Sequence, residues 1–249
     1  MHKKKSSIVF LLVPFLFFGQ LKEESKYYNW FDQVLGQEHT GLYNGKWYLD
    51  FDVNRIYDNR HAFFRSDEVL MGSVTYSGQT YYDIKMKYNL EIDRLLVQLK
   101  SSSTASVIKL IPDKIDEFVI DGSRFIRIDD REVEKAENIL NTIFYEVLLE
   151  TEDLFLLKSN KKVRNRRLGD TGDRMVYEFT SANRYILSCN EKYYVVKSKY
   201  DIVKIYPELK KEIKQFYTTN KILKKSEPDR FMKRLFEKVV QPSQLNKEL

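Results

Sequence analysis

From Trp47 onward the chain alternates. Trp47, Leu49, Phe51 and Val53 fall on one side of an extended backbone, and Tyr48, Asp50, Asp52 and Asn54 on the other. A period of two predicts a half-buried strand. Residues 73–76 and 80–88 flank Ser77-Gly78, a pair suited to a tight hairpin turn because glycine tolerates positive φ. In the second arm the alternation groups Tyr82, Ile84, Met86 and Tyr88 on one face, and Tyr81, Asp83, Lys85 and Lys87 on the other. Short strands are then expected at 95–99, 107–111, 117–120 and 124–128, the last pair joined by Asp121-Gly122. Residues 129–142 read as a polar connection with room for one helical turn at Glu132–Glu137. Strand patterning returns at 144–150, 154–163, 175–180, 184–189 and 192–197, with Asn190-Glu191 as a turn between the last two.

After Lys199 the period changes to that of a helix. Asp201 is positioned to cap a short helix carrying Ile202, Val203 and Ile205. Pro207 opens a second, a favoured first position, with Leu209, Ile213, Phe216 and Tyr217 on one face. A third starts around Ser226 and Pro228 and would bury Phe231, Leu235, Phe236 and Val239. The expected fold is α+β and mostly β. It is a curled antiparallel meander or partial barrel with two or three C-terminal helices packed on it. No Gly-, Pro- or Ser-rich linker divides residues 20–249, which read as one unit: strands to 199, helices to 240 and a polar tail at 241–249.

The first nineteen residues follow a different logic. Lys3, Lys4 and Lys5 precede an apolar run from Ile8 to Phe18, and charge resumes at Lys22. That is the layout of a secretory signal peptide, too short for a membrane span of about 20 residues. The expectation is an exported protein, periplasmic or extracellular. No cysteine stands near residue 19 to carry a lipoprotein anchor. The single cysteine, Cys189, excludes an intrachain disulfide and a Cys-rich zinc site. The formal charge of +6 falls to +3 once the three leader lysines are removed, so distribution matters more than sum.

Asn44-Gly45-Lys46-Trp47-Tyr48, the stretch from Gly72 to Tyr81, Tyr88-Asn89-Leu90-Glu91-Ile92-Asp93, Phe144-Tyr145-Glu146-Val147-Leu148, and the stretch from Tyr193 to Phe216 follow one another in an order that resembles small exported β-rich proteins of Bacteroidota. The resemblance implies a cell-envelope location. It implies no activity and supplies no catalytic residues.

Candidate chemistry is sparse. Only His39 and His61 follow the leader, and no zincin, nucleophile-elbow, Walker or dinucleotide motif appears. Ser66, Asp67 and Glu68 lie near His61 in sequence, but a triad is recognised by spatial roles rather than by neighbours along the chain. Cys189 sits in an apolar strand and reads as a buried thiol. Asp50 with Asp52, Asp129 with Asp130, and Asp170 with Asp173 form carboxylate pairs, the last within a glycine-bounded turn. No metal or cofactor is expected from these.

The most distinctive run is Lys158 to Arg167. Lys158, Lys161, Lys162, Arg164, Arg166 and Arg167 put six positive charges in ten residues with no acid. Such a run can meet lipid headgroups, lipopolysaccharide phosphates or an acidic partner, or it can keep an edge strand soluble. Tyr43, Tyr48, Tyr76, Tyr81, Tyr82, Tyr193 and Tyr194, many beside charged residues, offer a contact platform or ordinary strand filling. Two functions are expected from these features. The first is a non-enzymatic envelope protein that binds another protein or complex. The second is a periplasmic carrier of a lipid or other amphipathic anion. Nucleic acid is not an expected partner after export.

Overall fold

The computed structural model describes residues 40–50, 55–100, 105–128, 142–152, 154–190 and 192–240. The leader, Asp52, Asp129, Asp130 and the connection at 129–141 lie outside the described residues. The architecture is a large, open antiparallel sheet with C-terminal helices packed on it.

The sheet is built from β1 (Lys46–Trp47), β2 (Leu70–Tyr76), β3 (Gln79–Asn89), β4 (Arg94–Lys100), β5 (Ala105–Lys109), β6 (Ile115–Ile120), β7 (Ser123–Arg127), β8 (Phe144–Glu150), β9 (Leu154–Ser159), β12 (Arg184–Cys189) and β13 (Lys192–Val196). Its spatial order is β1-β5-β4-β3-β2-β6-β7-β8-β9-β12-β13. A separate hairpin, β10 (Lys162–Leu168) with β11 (Met175–Ser181), leaves the sheet between β9 and β12. The helices are α1 (Lys199–Ile205), α2 (Lys210–Thr219), α3 (Lys221–Ser226) and α4 (Pro228–Leu235).

The curl follows from connectivity. β6 returns to pair with β2, so the chain crosses from the β5 position over four interstrand steps. Four steps across a flat sheet span about 19 Å. The connection from Leu110 to Lys114 contains a 3-10 turn at Pro112–Lys114, which shortens its reach well below the roughly 20 Å of a fully extended chain of that length. Ser77 N donates to Lys114 O at 2.7 Å, tying this bridge to the end of β2. The order is therefore two meanders joined by a return rather than one continuous meander.

The concave face is filled. Tyr88, Phe118, Phe125 and Phe144 are at most 1% exposed and meet through ring centroids 4.8–6.3 Å apart, with Phe118 stacked on Phe125. Val74, Met86, Leu95, Val97, Ile108 and Ile120 complete this core. Gly72 is required at one close approach, where a Cβ would come within 1.9 Å of the Val119 carbonyl oxygen. The turns at Ser77-Gly78 and Asp121-Gly122 have positive φ at both positions, as a two-residue hairpin turn of matching twist demands.

A second core lies where Leu154, Leu156, Leu187 and Val196 of the last strands meet Ile202, Ile213, Phe231, Met232 and Leu235 of the helices and Phe236 of the π-helical turn Phe236–Val240 that follows α4. Ser198, rather than Asp201, is the N-cap of α1. Its hydroxyl accepts from Tyr200 N, and Asp201 reaches back to the Ser198 and Lys197 amides as the other half of a capping box. The stretch after Pro207 divides into a 3-10 turn, α2 and α3, broken at Asn220, so four short helices occupy the helical region.

Two expected faces and one expected strand differ. The strand at Trp47 pairs over only two described residues, and Trp47 and Leu49 are 65% and 69% exposed, while Tyr48 is half-buried. In β3 a register shift opposite Ser73, with Asp83 at φ 54°, moves the phase by one residue. Tyr81 therefore takes the inward place expected for Tyr82. Residues 154–163 are not one strand. β9 ends at Ser159, and β10 begins in the separate hairpin.

Candidate functional site

The best-formed hollow is a cleft of about 580 Å3 on the outer face of β3, β4 and β5, the face away from the aromatic core. Register sets its floor: Lys87 lies opposite Leu96, and Gln98 opposite Val107. Alternation requires this, because Tyr88, Leu95, Val97 and Ile108 point the other way into the core. The roof is the segment at 55–69 with the β10–β11 hairpin. Tyr57 N bonds Tyr177 O and Phe179 N bonds Arg60 O, which joins the two parts of the roof, and Phe64 N bonds Tyr88 O, which joins the roof to the floor.

One ion pair crosses the cleft wall. Arg164 donates Nε to Glu91 Oε1 at 2.7 Å and Nη2 to Glu91 Oε2 at 2.8 Å, a bidentate fork. Its guanidinium also lies over the rings of Tyr177 and Phe179. Lys87 Nζ stands 4.8 Å from the Phe63 ring centroid. Asn89 is buried and accepts from Glu91 N and Ile92 N through Oδ1, which fixes the bend carrying Glu91 and Ile92. Burial, then the Asp50 charge, pushes the Tyr48 phenol up.

His61 is the one imidazole in the described residues. Its Nδ1 accepts from Phe63 N at 3.1 Å, so the free proton position is Nε2. Burial, then the Lys162 charge, holds its pKa below the ordinary 6.5. The described cleft lining contains no Ser, Thr or Cys beside this imidazole. Ser66 Oγ accepts from Glu68 N and serves a local turn. Among the described residues no group of three or more His, Cys, Asp or Glu side chains is placed to hold a metal ion.

The six positive residues singled out from the sequence are not brought together as a surface. Lys158 is in β9, nearly buried, with Nζ 2.6 Å from Asp229 Oδ2 and 4.0 Å from Glu146. Glu146 also accepts from Ser123 Oγ and Asn160 Nδ2. Lys161 Nζ donates to Glu91 O at 2.7 Å. Lys162 Nζ donates to His61 O and Phe63 O at 2.7 and 2.8 Å, and burial pushes its pKa down. Arg164 is forked on Glu91. Arg167 lies 3.9 Å over the Tyr57 ring, with Glu178 and Asp170 within 3.6 Å. Arg166 alone of the six is exposed with no ion pair among the described residues.

The other candidates resolve similarly. Cys189 is buried, and desolvation raises its pKa, the environment of an inert thiol. Asp170 and Asp173 lie in a turn closed by Gly172 N to Gly169 O and Gly169 N to Arg174 O. Tyr76 and Tyr81 are core residues, and Tyr43, Tyr48, Tyr82, Tyr193 and Tyr194 are half-buried, so they form no exposed platform. Strand pairing and core filling use them instead.

Sequence reasoning missed the apolar rim. Trp47, Leu49 and Ile92 are large and exposed, and Leu49 and Ile92 line the cleft. The signal was present as an apolar alternation, but it was assigned to a core. No family model, no curated protein and no solved structure matches this chain. Among the described residues no helix is long and apolar enough to cross a membrane.

Proposed function

We propose that this is a non-enzymatic binding protein of the cell envelope, acting as an accessory component that accepts a segment of a partner protein in the cleft beneath the β10–β11 hairpin. The observation that supports this is the cleft itself: a concavity of about 580 Å3 whose mouth carries the exposed side chains of Leu49 and Ile92, with Trp47 alongside. Exposed aromatic and aliphatic anchors beside a concavity suit protein recognition. Glu91 and Arg164, locked to each other, give the wall a fixed polar pattern at little ordering cost. Export rests on the first nineteen residues and on the resemblance stated above.

The filled concave face weighs against the alternative, a lipid carried inside the sheet, because Phe118, Phe125 and Phe144 occupy the volume a lipid tail would need. The test places a photo-crosslinking residue at Leu49 in cells that export the chain, with a second at Asp113 as a position control. We expect one defined protein adduct from Leu49, absent from Asp113 and lost when Trp47 and Ile92 are changed to Ser. Adducts of equal yield at both positions, or lipid adducts alone, would overturn the reading.

A further inference from the structure

The lysines that remain available lie elsewhere. Lys197, Lys199, Lys221, Lys224 and Lys225, with Tyr200 and Tyr217, line an open groove of about 680 Å3 formed by the start of α1, the end of α2 and α3. No Asp or Glu lines it, and among the described residues none of the five ammonium groups has a carboxylate partner. The nearest acids in sequence are committed elsewhere: Asp201 is turned to the Ser198 and Lys197 amides as part of the α1 cap, and Glu227 pairs with Arg230 at 3.1 Å. Lys224 and Lys199 instead lie over the rings of Tyr217 and Tyr200, 5.2 Å from each centroid.

A second feature is independent of charge. Ile222 is 85% exposed and Tyr200 is 61% exposed. At about 100° per residue, Lys221, Lys224 and Lys225 share one face of α3 and Ile222 stands on its flank, while Leu223 turns inward to the helical core. Lysines beside an exposed Ile and Tyr match an interfacial surface: ammonium groups reach headgroup phosphates on flexible stems, and the apolar side chains enter the boundary between headgroups and tails. A free polyanion in water would give Ile222 nothing to contact.

We propose that the α1–α3 groove docks this protein on an anionic lipid bilayer. Lys197, Lys199, Lys221, Lys224 and Lys225 contact headgroup phosphates, and Ile222 and Tyr200 enter the interface. This goes beyond protein binding in the cleft and does not depend on it. The groove follows β13, at the far end of the strand order from the β3–β5 cleft floor. A docked molecule would therefore hold the membrane contact and the cleft on separate parts of the fold.

The test is flotation of the purified chain, residues 20–249, with vesicles of phosphatidylcholine alone or mixed with phosphatidylglycerol. We expect binding only to the anionic vesicles, falling with added salt. Each lysine near such a surface contributes about a fivefold change in partition, so K221Q/K224Q/K225Q should weaken binding on the order of 100-fold. Ile222→Ser should weaken it several-fold while leaving the salt dependence unchanged. Both variants alter exposed positions, and unchanged thermal melts will verify that they fold. Equal binding to neutral and anionic vesicles would overturn the proposal, as would a triple variant that binds like the parent. So would binding to single-stranded DNA as tight as to anionic vesicles with Ile222→Ser silent on both, because that pattern assigns the groove to a soluble polyanion.

Discussion

The run from Lys158 to Arg167 and the lysines around α3 carry similar charge and meet opposite fates. In the first, six cations lie within ten residues, and five have partners or burial inside the fold. In the second, five cations are scattered over residues 197–225 and converge on a groove with no acid. Density of charge along the chain therefore says little about charge available to a partner. What decides is whether distant acids and carbonyls return to the run when the chain folds. Glu91, Glu146, Glu178 and Asp229 do so for the first group.

The largest test of this contrast is Lys158. Its ammonium sits between Asp229 of α4 and the buried Glu146 of β8, where the strand core and the helical core adjoin. Tyr185 also donates to Asp229, so the carboxylate fastens α4 to the last strands from two sides. Removing one partner of a buried pair leaves an uncompensated charge. Lys158→Met should cost about 3 kcal/mol in urea denaturation, and adding Glu146→Gln should restore part of that loss. A loss below about 0.5 kcal/mol, the range of ordinary surface changes, would place Lys158 with the spare lysines and erase the contrast at its strongest point.

Arg164 comes next. Its fork on Glu91 and its contact with two aromatic rings hold the hairpin over the cleft. Arg164→Ala should cost about 1–2 kcal/mol, and Arg164→Lys should recover little, because an ammonium cannot reproduce the planar fork. Equal stability of the Lys and Arg proteins, measured by denaturant midpoint, would mean that charge alone matters there.

The strand content was largely legible because turn chemistry and alternation are local. Ser77-Gly78 and Asp121-Gly122 announce hairpins, and the strand at Phe144–Glu150 stands where the pattern puts it. The helices were legible from Ile202, Ile213, Phe231 and Leu235, all now in one core. What was hidden is non-local. Nothing within the run says that Glu91 lies beside Arg164, 73 residues away. Apolar alternation at Trp47 cannot reveal that the side chain stands largely exposed. A single shifted residue at Asp83 exchanges the roles of Tyr81 and Tyr82, which alternation cannot register. The lysine groove was invisible because its lysines come from the entrance to α1 and from α3, more than twenty residues apart at their nearest, rather than from one run.

The smallest effect probes the contrast without disturbing the fold. Lys162 delivers its ammonium to the carbonyls of His61 and Phe63, and its charge is the second cause, after burial, of the depressed His61 pKa. A folded imidazole that resists protonation makes the unfolded state the better proton acceptor. Stability should therefore decline as pH falls through 6.5, the ordinary imidazole value, and level off below the folded pKa. Lys162→Met keeps the apolar stem and removes the charge. By proton NMR, His61 should titrate below 6.5 in the parent chain and move upward in the variant, stopping short of 6.5 because burial remains. The stability slope should flatten in step. If His61 titrates identically with and without Lys162, that ammonium is solvated rather than held on the two carbonyls. The first basic run would then have a second cation without a partner among the described residues, beside Arg166, and the difference between the two regions would rest on Lys158, Lys161, Arg164 and Arg167.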